Sequence, residues 1–228
     1  MFFTDRFIIL AKYNFCQLIF LPIGMKDSSN TSKKTGRPRT FDEDQALDKA
    51  MDLFWEKGYE GSSLPELTEA MGMNRPSLYA VFGNKETLFH KALARYTLTR
   101  GEVFQSALRE PTARKVVENF LYCNADNQTE PDHPHGCLVI NGALACSDDA
   151  LPIRQELIAR RACHEAKLRD RFVRAREEGD LPEDCCAGQL ARYVMTVSNG
   201  MAVQAVAGAT RAQLHEVVAL VLRGWPSP

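Results

Sequence analysis

The chain has 228 residues, with 28 Lys+Arg against 29 Asp+Glu for a formal net charge of −1, and is 45% hydrophobic and 25% charged. These values suit a globular chain and exclude disordered, collagen-like and low-complexity classes. No uninterrupted apolar run reaches the roughly 18 residues of a clean membrane span, and near-neutrality gives no bulk reason to expect a polyanionic partner.

In chain order, residues 1–24 hold two apolar patches, Phe7 to Ala11 and Leu18 to Ile23, split by Lys12, Asn14 and Gln17. They lack the basic start and small-residue cleavage site of a secretory signal. Met25 then opens a polar, basic, Ser/Thr-rich stretch, so Met25 is read as the true start; a membrane-associating extension is the alternative. Lys26 to Thr40 carries Lys26, Lys33, Lys34, Arg37 and Arg39 against Asp27, a local charge of +4. Gly36-Arg37-Pro38-Arg39 has the core of a minor-groove hook, in which Arg37 and Arg39 contact DNA. A solvated tail is the equal alternative.

Beyond residue 40 the apolar period is helical throughout, with almost no strand-and-turn signal. The first helix starts near Asp42 and buries Ala46, Leu47, Ala50, Met51, Leu53 and Phe54. Its first-turn acids suit the dipole, and Gly58 stops it. Asp48, Asp52 and Glu56 are expected on its outer side. Ser62 or Ser63 caps a second, short helix, with Glu66 in capping-box position for Ser63, ending at Gly72. Asn74 caps a third, with Pro76 in its first turn, running to Phe82. A fourth runs from Lys85 past Arg100. Pro111-Thr112 opens a helix to Ala125, and Asn127 to Gly136 is a loop. Cys137 to Cys146 forms a short helix and Pro152 to Glu178 a long one. Asp184 to Ala207 and Arg211 to Gly224 form an antiparallel pair. The total is nine helices, an all-α chain.

The second and third helices, joined through Gly72-Met73-Asn74, make a helix-turn-helix, a unit that places its second helix in the DNA major groove. Leu64, Leu67 and Met71 bury the first of the pair and Leu78 and Phe82 the second. That leaves Arg75, Ser77, Tyr79 and Ala80 facing outward. Arg75 is placed to reach a base edge or a phosphate. Tyr79 offers its hydroxyl to phosphate or packs on the first helix. Lys85 combines a cation with free backbone N–H groups at a helix start.

The stretch Phe41 to Leu93 resembles the DNA-binding domain of the TetR/AcrR family of transcriptional regulators. The resemblance lies in Ala46-Leu47-Asp48-Lys49-Ala50-Met51-Asp52-Leu53-Phe54, Gly58-Tyr59, Ser62-Ser63-Leu64 and the run Met71 to Glu86. It implies a TetR-like fold of nine helices: a three-helix head that binds DNA and a helical body that binds a ligand and dimerises. It also implies a homodimer built on the last two helices, reading a palindromic double-stranded operator. The expected domains are residues 1–40 as extension and arm, 41–88 as DNA-binding head and 89–228 as body. The expected DNA contacts are Arg37, Arg39, Ser63, Asn74, Arg75, Pro76, Ser77, Tyr79, Ala80 and Lys85. Residues 184–207 are rich in small side chains that permit close helix approach. The last helix is apolar on more than one side through Leu214, Val217, Val218, Leu220, Val221 and Leu222, and so needs more than one partner.

On the long helix, Ile153, Leu157, Arg161, His164, Leu168 and Phe172 share a stripe. Arg161 and His164 would orient a small-molecule effector in an apolar pocket lined by Phe104, Phe120, Leu138, Leu168 and Tyr193, with Asn199 opposite; a plain core with a helix–helix hydrogen bond is the alternative. The leading function is a transcriptional repressor released from its operator by that effector, in the cytoplasm, with no cofactor and no enzymatic activity. One alternative is a redox regulator using Cys163 beside His164, or Cys185-Cys186. Another is a metal-responsive one using His133, His135 and Cys137. A helical carrier or enzyme is the alternative of another class, though no nucleophile–base pair or phosphate loop stands out. The seven cysteines have no regular spacing, which points to a reducing compartment.

Overall fold

The computed structural model describes residues 42–144 and 150–227. The chain divides into two units, Met1–Thr40 and Phe41–Pro228; the expectations for the first 24 residues and for Arg37 and Arg39 lie outside the described residues. Among these are nine helices: α1 (Glu43–Gly61), α2 (Leu64–Ala70), α3 (Arg75–Phe82), α4 (Lys85–Ala107), α5 (Ala113–Gln128), α6 (Leu138–Leu144), α7 (Leu151–Glu177), α8 (Ala187–Val206) and α9 (Arg211–Arg223). No described helix is long and apolar enough to cross a membrane.

The helix boundaries follow local chemistry. Asp42 caps α1 through Asp44 N and Gln45 N at 2.9 and 3.3 Å, and α1 loses helical geometry at Gly58. Thr112 caps α5, and Thr210 makes a capping box with Gln213 at the start of α9. Each such side chain satisfies an amide the helix cannot, at about 1 kcal/mol.

The apolar faces meet in two cores. One joins Phe54 and Trp55 of α1, Leu67 of α2, Leu78 and Phe82 of α3, Leu88, Phe89 and Leu93 of α4, Leu138 of α6 and Ile153 and Leu157 of α7. The other joins Phe104 of α4, Phe120 and Leu121 of α5, Leu168 and Phe172 of α7, Val194 and Met201 of α8 and Leu214, Val218 and Trp225 of and after α9. Fully burying each large side chain contributes on the order of 1.5–3 kcal/mol. The helices α4 and α7 belong to both cores, so the expected boundary between residues 88 and 89 falls inside a continuous helix.

In the first core the rings of Phe54, Tyr59 and Phe89 lie 5.1 to 6.3 Å apart pairwise, tying α1 to α4. An ionic clamp reinforces them. Arg95 of α4 donates to both oxygens of Asp48, at 2.5 and 2.8 Å, and to Asp44 at 2.9 Å. This corrects the expectation of an outward side for Asp48 and Asp52, whereas Glu56 is exposed as expected. Asp48 points at α4, and Asp52 is half-buried with its carboxyl raised above the usual range by burial. In the second core, buried Arg171 donates to the carbonyls of Glu110 and Pro111, holding the α4–α5 corner.

The loop between α5 and α6 packs on the end of α8 through Gly136, whose φ is +83°. A Cβ there would lie 2.6 Å from Val206 Cγ2 and 2.9 Å from the Ala202 carbonyl. Gly136→Ala is therefore expected to destabilise the protein by about 1–3 kcal/mol through strain and overpacking. Urea unfolding measures it, and adding Val206→Ala should recover only part of the loss, because the Ala202 carbonyl is backbone.

Candidate nucleic-acid interface

The turn between α2 and α3 forms because Gly72 takes φ +63°, a conformation other residues reach only with strain. Ser63 caps α2: its amide and hydroxyl donate to Glu66 Oε2 at 2.9 and 2.6 Å, and Glu66 N donates back to its hydroxyl at 3.3 Å. Lys57 also donates to Glu66 at 2.7 Å, and these hydrogen bonds hold the Glu66 carboxyl at about 2. Ser62, fully buried, donates instead to the Gly58 carbonyl. The structure thus settles which serine caps and which fills the core.

Asn74 caps α3 by accepting from Ser77 N at 2.9 Å, so that part of its side chain is committed to the helix. Leu78 and Phe82 anchor α3 inward, at 0% and 4% exposure. That orientation turns Arg75, Pro76, Tyr79 and Ala80 to solvent and leaves Ser77 half-buried. Arg75 donates to the Tyr79 hydroxyl at 3.2 Å and lies 5.6 Å from the ring centre. The two side chains therefore form one preorganised donor pair on the exposed face of α3. Tyr79 is 42% exposed.

Lys85, expected at the start of α4, is half-buried there. Its ammonium lies over the Tyr59 ring at 4.6 Å, and burial lowers its pKa. Two further residues that patterning did not single out support the head. Lys91 donates to the Val81 carbonyl at the end of α3 and lies over Phe82. Arg95 forms the clamp to α1.

The expected effector residues separate. Phe104, Phe120 and Leu168 share the second core, and the His164 ring lies 4.3 Å from that of Phe104. Leu138 is buried in the first core instead. Tyr193 is 48% exposed, while Arg161 and Asn199 are half-buried. The stripe on α7 divides for the same reason, since Ile153 and Leu157 enter one core and Leu168 and Phe172 the other. Burial, with positive charge on Lys167 and Arg160, lowers the His164 pKa to about 4, so it is neutral at pH 7.

Of the other candidates, Cys163 is disulfide-bonded and not a free thiol, whereas Cys185 and Cys186 are free. His133 stacks on Trp55, and Cys137 accepts from the Tyr96 hydroxyl. Among the described residues no three His, Cys, Asp or Glu side chains are grouped to hold a metal ion.

Residues 46–92 match the family model described as bacterial regulatory proteins, tetR family. The chain is 36% identical over 203 residues to the HTH-type transcriptional repressor ComR of Escherichia coli strain K12, covering 88% of this chain and 97% of that one. It is 37% identical over 113 residues to the repressor BdcR of the same organism, covering 49% of this chain and 57% of that one. Among solved structures, it is similar to a cysteine-substituted TetR family transcriptional regulator CifR complexed with 26-bp double-strand operator DNA. That likeness has a TM-score of 0.80 and 42% identity, covering 84% of this chain and all of the other.

The neutral His164 carries a pH signature. Its folded pKa lies below the ordinary 6.5, so unfolding takes up a proton between the two values and stability falls as pH drops from 6.5 towards 4. The contribution, discounted for partial exposure, is on the order of 1–2 kcal/mol. Urea midpoints at pH 7 and 4.5 should show a smaller acid loss in His164→Gln than in the wild type.

Proposed function

The chain belongs to the tetR family of bacterial regulatory proteins, and from that premise we propose that it is a DNA-binding transcriptional repressor, dimeric, and released from a palindromic operator by a small molecule. The observation that carries the DNA-binding reading is the exposed Arg75–Tyr79 pair on a short helix whose other face is buried. An arginine at the N-terminal end of such a helix fits guanine or phosphate, and the tyrosine hydroxyl fits phosphate. The small net charge is no obstacle, because binding needs cations only where the phosphates lie. Repression is the role named for ComR and BdcR.

Dimerisation is supported by the outer face of α8 and α9. Tyr193, Val203, Val206, Val217 and Leu220 are 42% to 62% exposed. Added Cβ atoms at Gly188 and Gly200 of α8 would meet nothing within 4 Å. A second copy laid on this face would cover the apolar side chains, with the glycines permitting close backbone approach. The effector reading draws support from the group Phe104, Phe120, Leu168 and His164, which puts one neutral polar ring in an apolar setting. Occupancy would lower operator affinity only by the effector's differential preference for a non-binding arrangement.

A second reading, control by cysteine oxidation, is favoured by the disulfide at Cys163 on α7. Substituting Cys163, Cys185 and Cys186 by Ser separates the two. An oxidant response of DNA binding that survives all three substitutions counts against it.

The purified full-length protein is expected to bind DNA from directly upstream of its own gene in a fluorescence anisotropy titration. Arg75→Ala should weaken that binding by about 10- to 100-fold, the worth of one good side chain–base contact. No binding to any upstream fragment would overturn the proposal. Leu220→Arg is expected to shift the protein from dimer to monomer in analytical ultracentrifugation.

A further inference from the structure

We infer that the proton is an effector of this protein, acting on a staple of four side chains that ties α4, the helix leaving the DNA-reading head, to α7 of the body. The inference rests on the DNA-binding reading above. His90 of α4 meets Glu156 of α7 with Nδ1 2.7 Å from Oε2. The other Glu156 oxygen accepts from Arg160 Nε and Nη2 at 3.0 and 2.7 Å. Arg160 in turn donates through Nη1 to the Thr97 hydroxyl at 3.1 Å. His90 and Thr97 stand two turns apart on α4, and Glu156 and Arg160 one turn apart on α7, so the bridge engages two turns of one helix and one turn of the other.

Its position gives the staple its consequence. His90 directly follows Leu88 and Phe89, which are buried in the first core, while Glu156 and Arg160 flank Leu157 in the same core. Farther along, both helices enter the second core. The staple therefore spans the stretch over which the head is carried by the body.

His90 is the member that titrates. The hydrogen bond from His90 to Glu156 raises its pKa above the ordinary 6.5, against the opposing effect of burial. Burial pushes Glu156 up, but hydrogen bonds from His90 and Arg160 outweigh it and hold the carboxyl at about 2, so Glu156 stays ionised. Among the described residues the charged groups acting on His90 are Glu156 from α7 and Glu86 from its own helix, the latter at 3.7 Å, with Arg160 acting through Glu156. Beside it, Phe89 is packed by the apolar Phe54 ring of α1 and lies next to Gly142 of α6, and neither brings a charge.

The sign follows from linkage. A histidine raised in the folded state stabilises its arrangement fully below 6.5 and loses that stabilisation as pH rises through the raised value. The neutral ring keeps a hydrogen bond but loses the ion pair. A head held firmly spends less conformational entropy when two recognition helices must match a fixed operator spacing. The protonated staple thus favours operator binding, and alkalinity weakens it.

The test uses the full-length protein and a labelled DNA fragment from directly upstream of its gene, titrated from about pH 6 to 8.5 at constant ionic strength, with His90→Gln and Glu156→Gln beside the wild type. Both variants keep hydrogen-bonding groups and remove the titrating ion pair. Wild-type affinity is expected to fall more steeply with rising pH than that of either variant. The excess is about tenfold for each pKa unit by which His90 differs between free and bound protein. A DNA-free readout accompanies it: the pH dependence of the thermal unfolding midpoint should be steeper across the same range in the wild type. Binding with equal pH slopes in wild type and His90→Gln overturns this inference alone. Failure to bind at any pH overturns the DNA-binding reading and this inference with it.

Discussion

Two long helices that each enter two hydrophobic cores set the terms for the rest of this molecule. Between Leu93 and Phe104, α4 leaves one core and joins the other, and α7 does the same between Leu157 and Leu168. An α-helix transmits displacement along its axis with little bending unless a proline, glycine pair or inserted group kinks it. The residues around Phe104 and Phe172 therefore sit on helices that also line the core shared with α1 and α3, and α4 has buried side chains in both cores.

The polar groups at this crossing are few and specific. Arg95 fixes α4 to α1 through Asp44 and Asp48. His90 and Thr97 fix it to α7 through Glu156 and Arg160. The apolar contacts supply most of the free energy and are non-directional. The charged hydrogen bonds supply less, but they choose one arrangement among several that would bury similar area. Of these groups, only the histidine has an ordinary pKa near neutrality.

The exposed side of α3, where DNA contact is proposed, is built on the opposite plan. The recognition helix is eight residues long and would not be stable alone. Asn74 closes its start, Lys91 meets a carbonyl at its end, and Leu78 and Phe82 hold its inner face. Its outer side chains carry almost none of that load, so Arg75 and Tyr79 are free to be chosen for what they contact.

Much of this was legible in the sequence, and the reason is range. Caps, turn glycines, prolines in first turns and the 3.6-residue period act within about one or two turns of chain. Asp42, Asn74 and Thr112 therefore mark helix starts without knowledge of the fold, the Ser62-Ser63 pair marks another to within one residue, and Leu78 and Phe82 mark the buried side of α3. Periodicity says that a residue is buried but not against what. That limit explains why Leu138, Phe104 and Tyr193, grouped by apolarity and position, lie in one core, another core and on the surface. It also explains why Asp48 points at an arginine 47 residues away rather than at solvent, and why Lys85 rests on Tyr59. The sequence by itself determined the helices, their caps and the exposed face of the recognition helix, because those depend on neighbours along the chain. The tertiary structure alone decided which helices bridge the two cores and which charges meet between them, because those depend on residues brought together only when the chain folds.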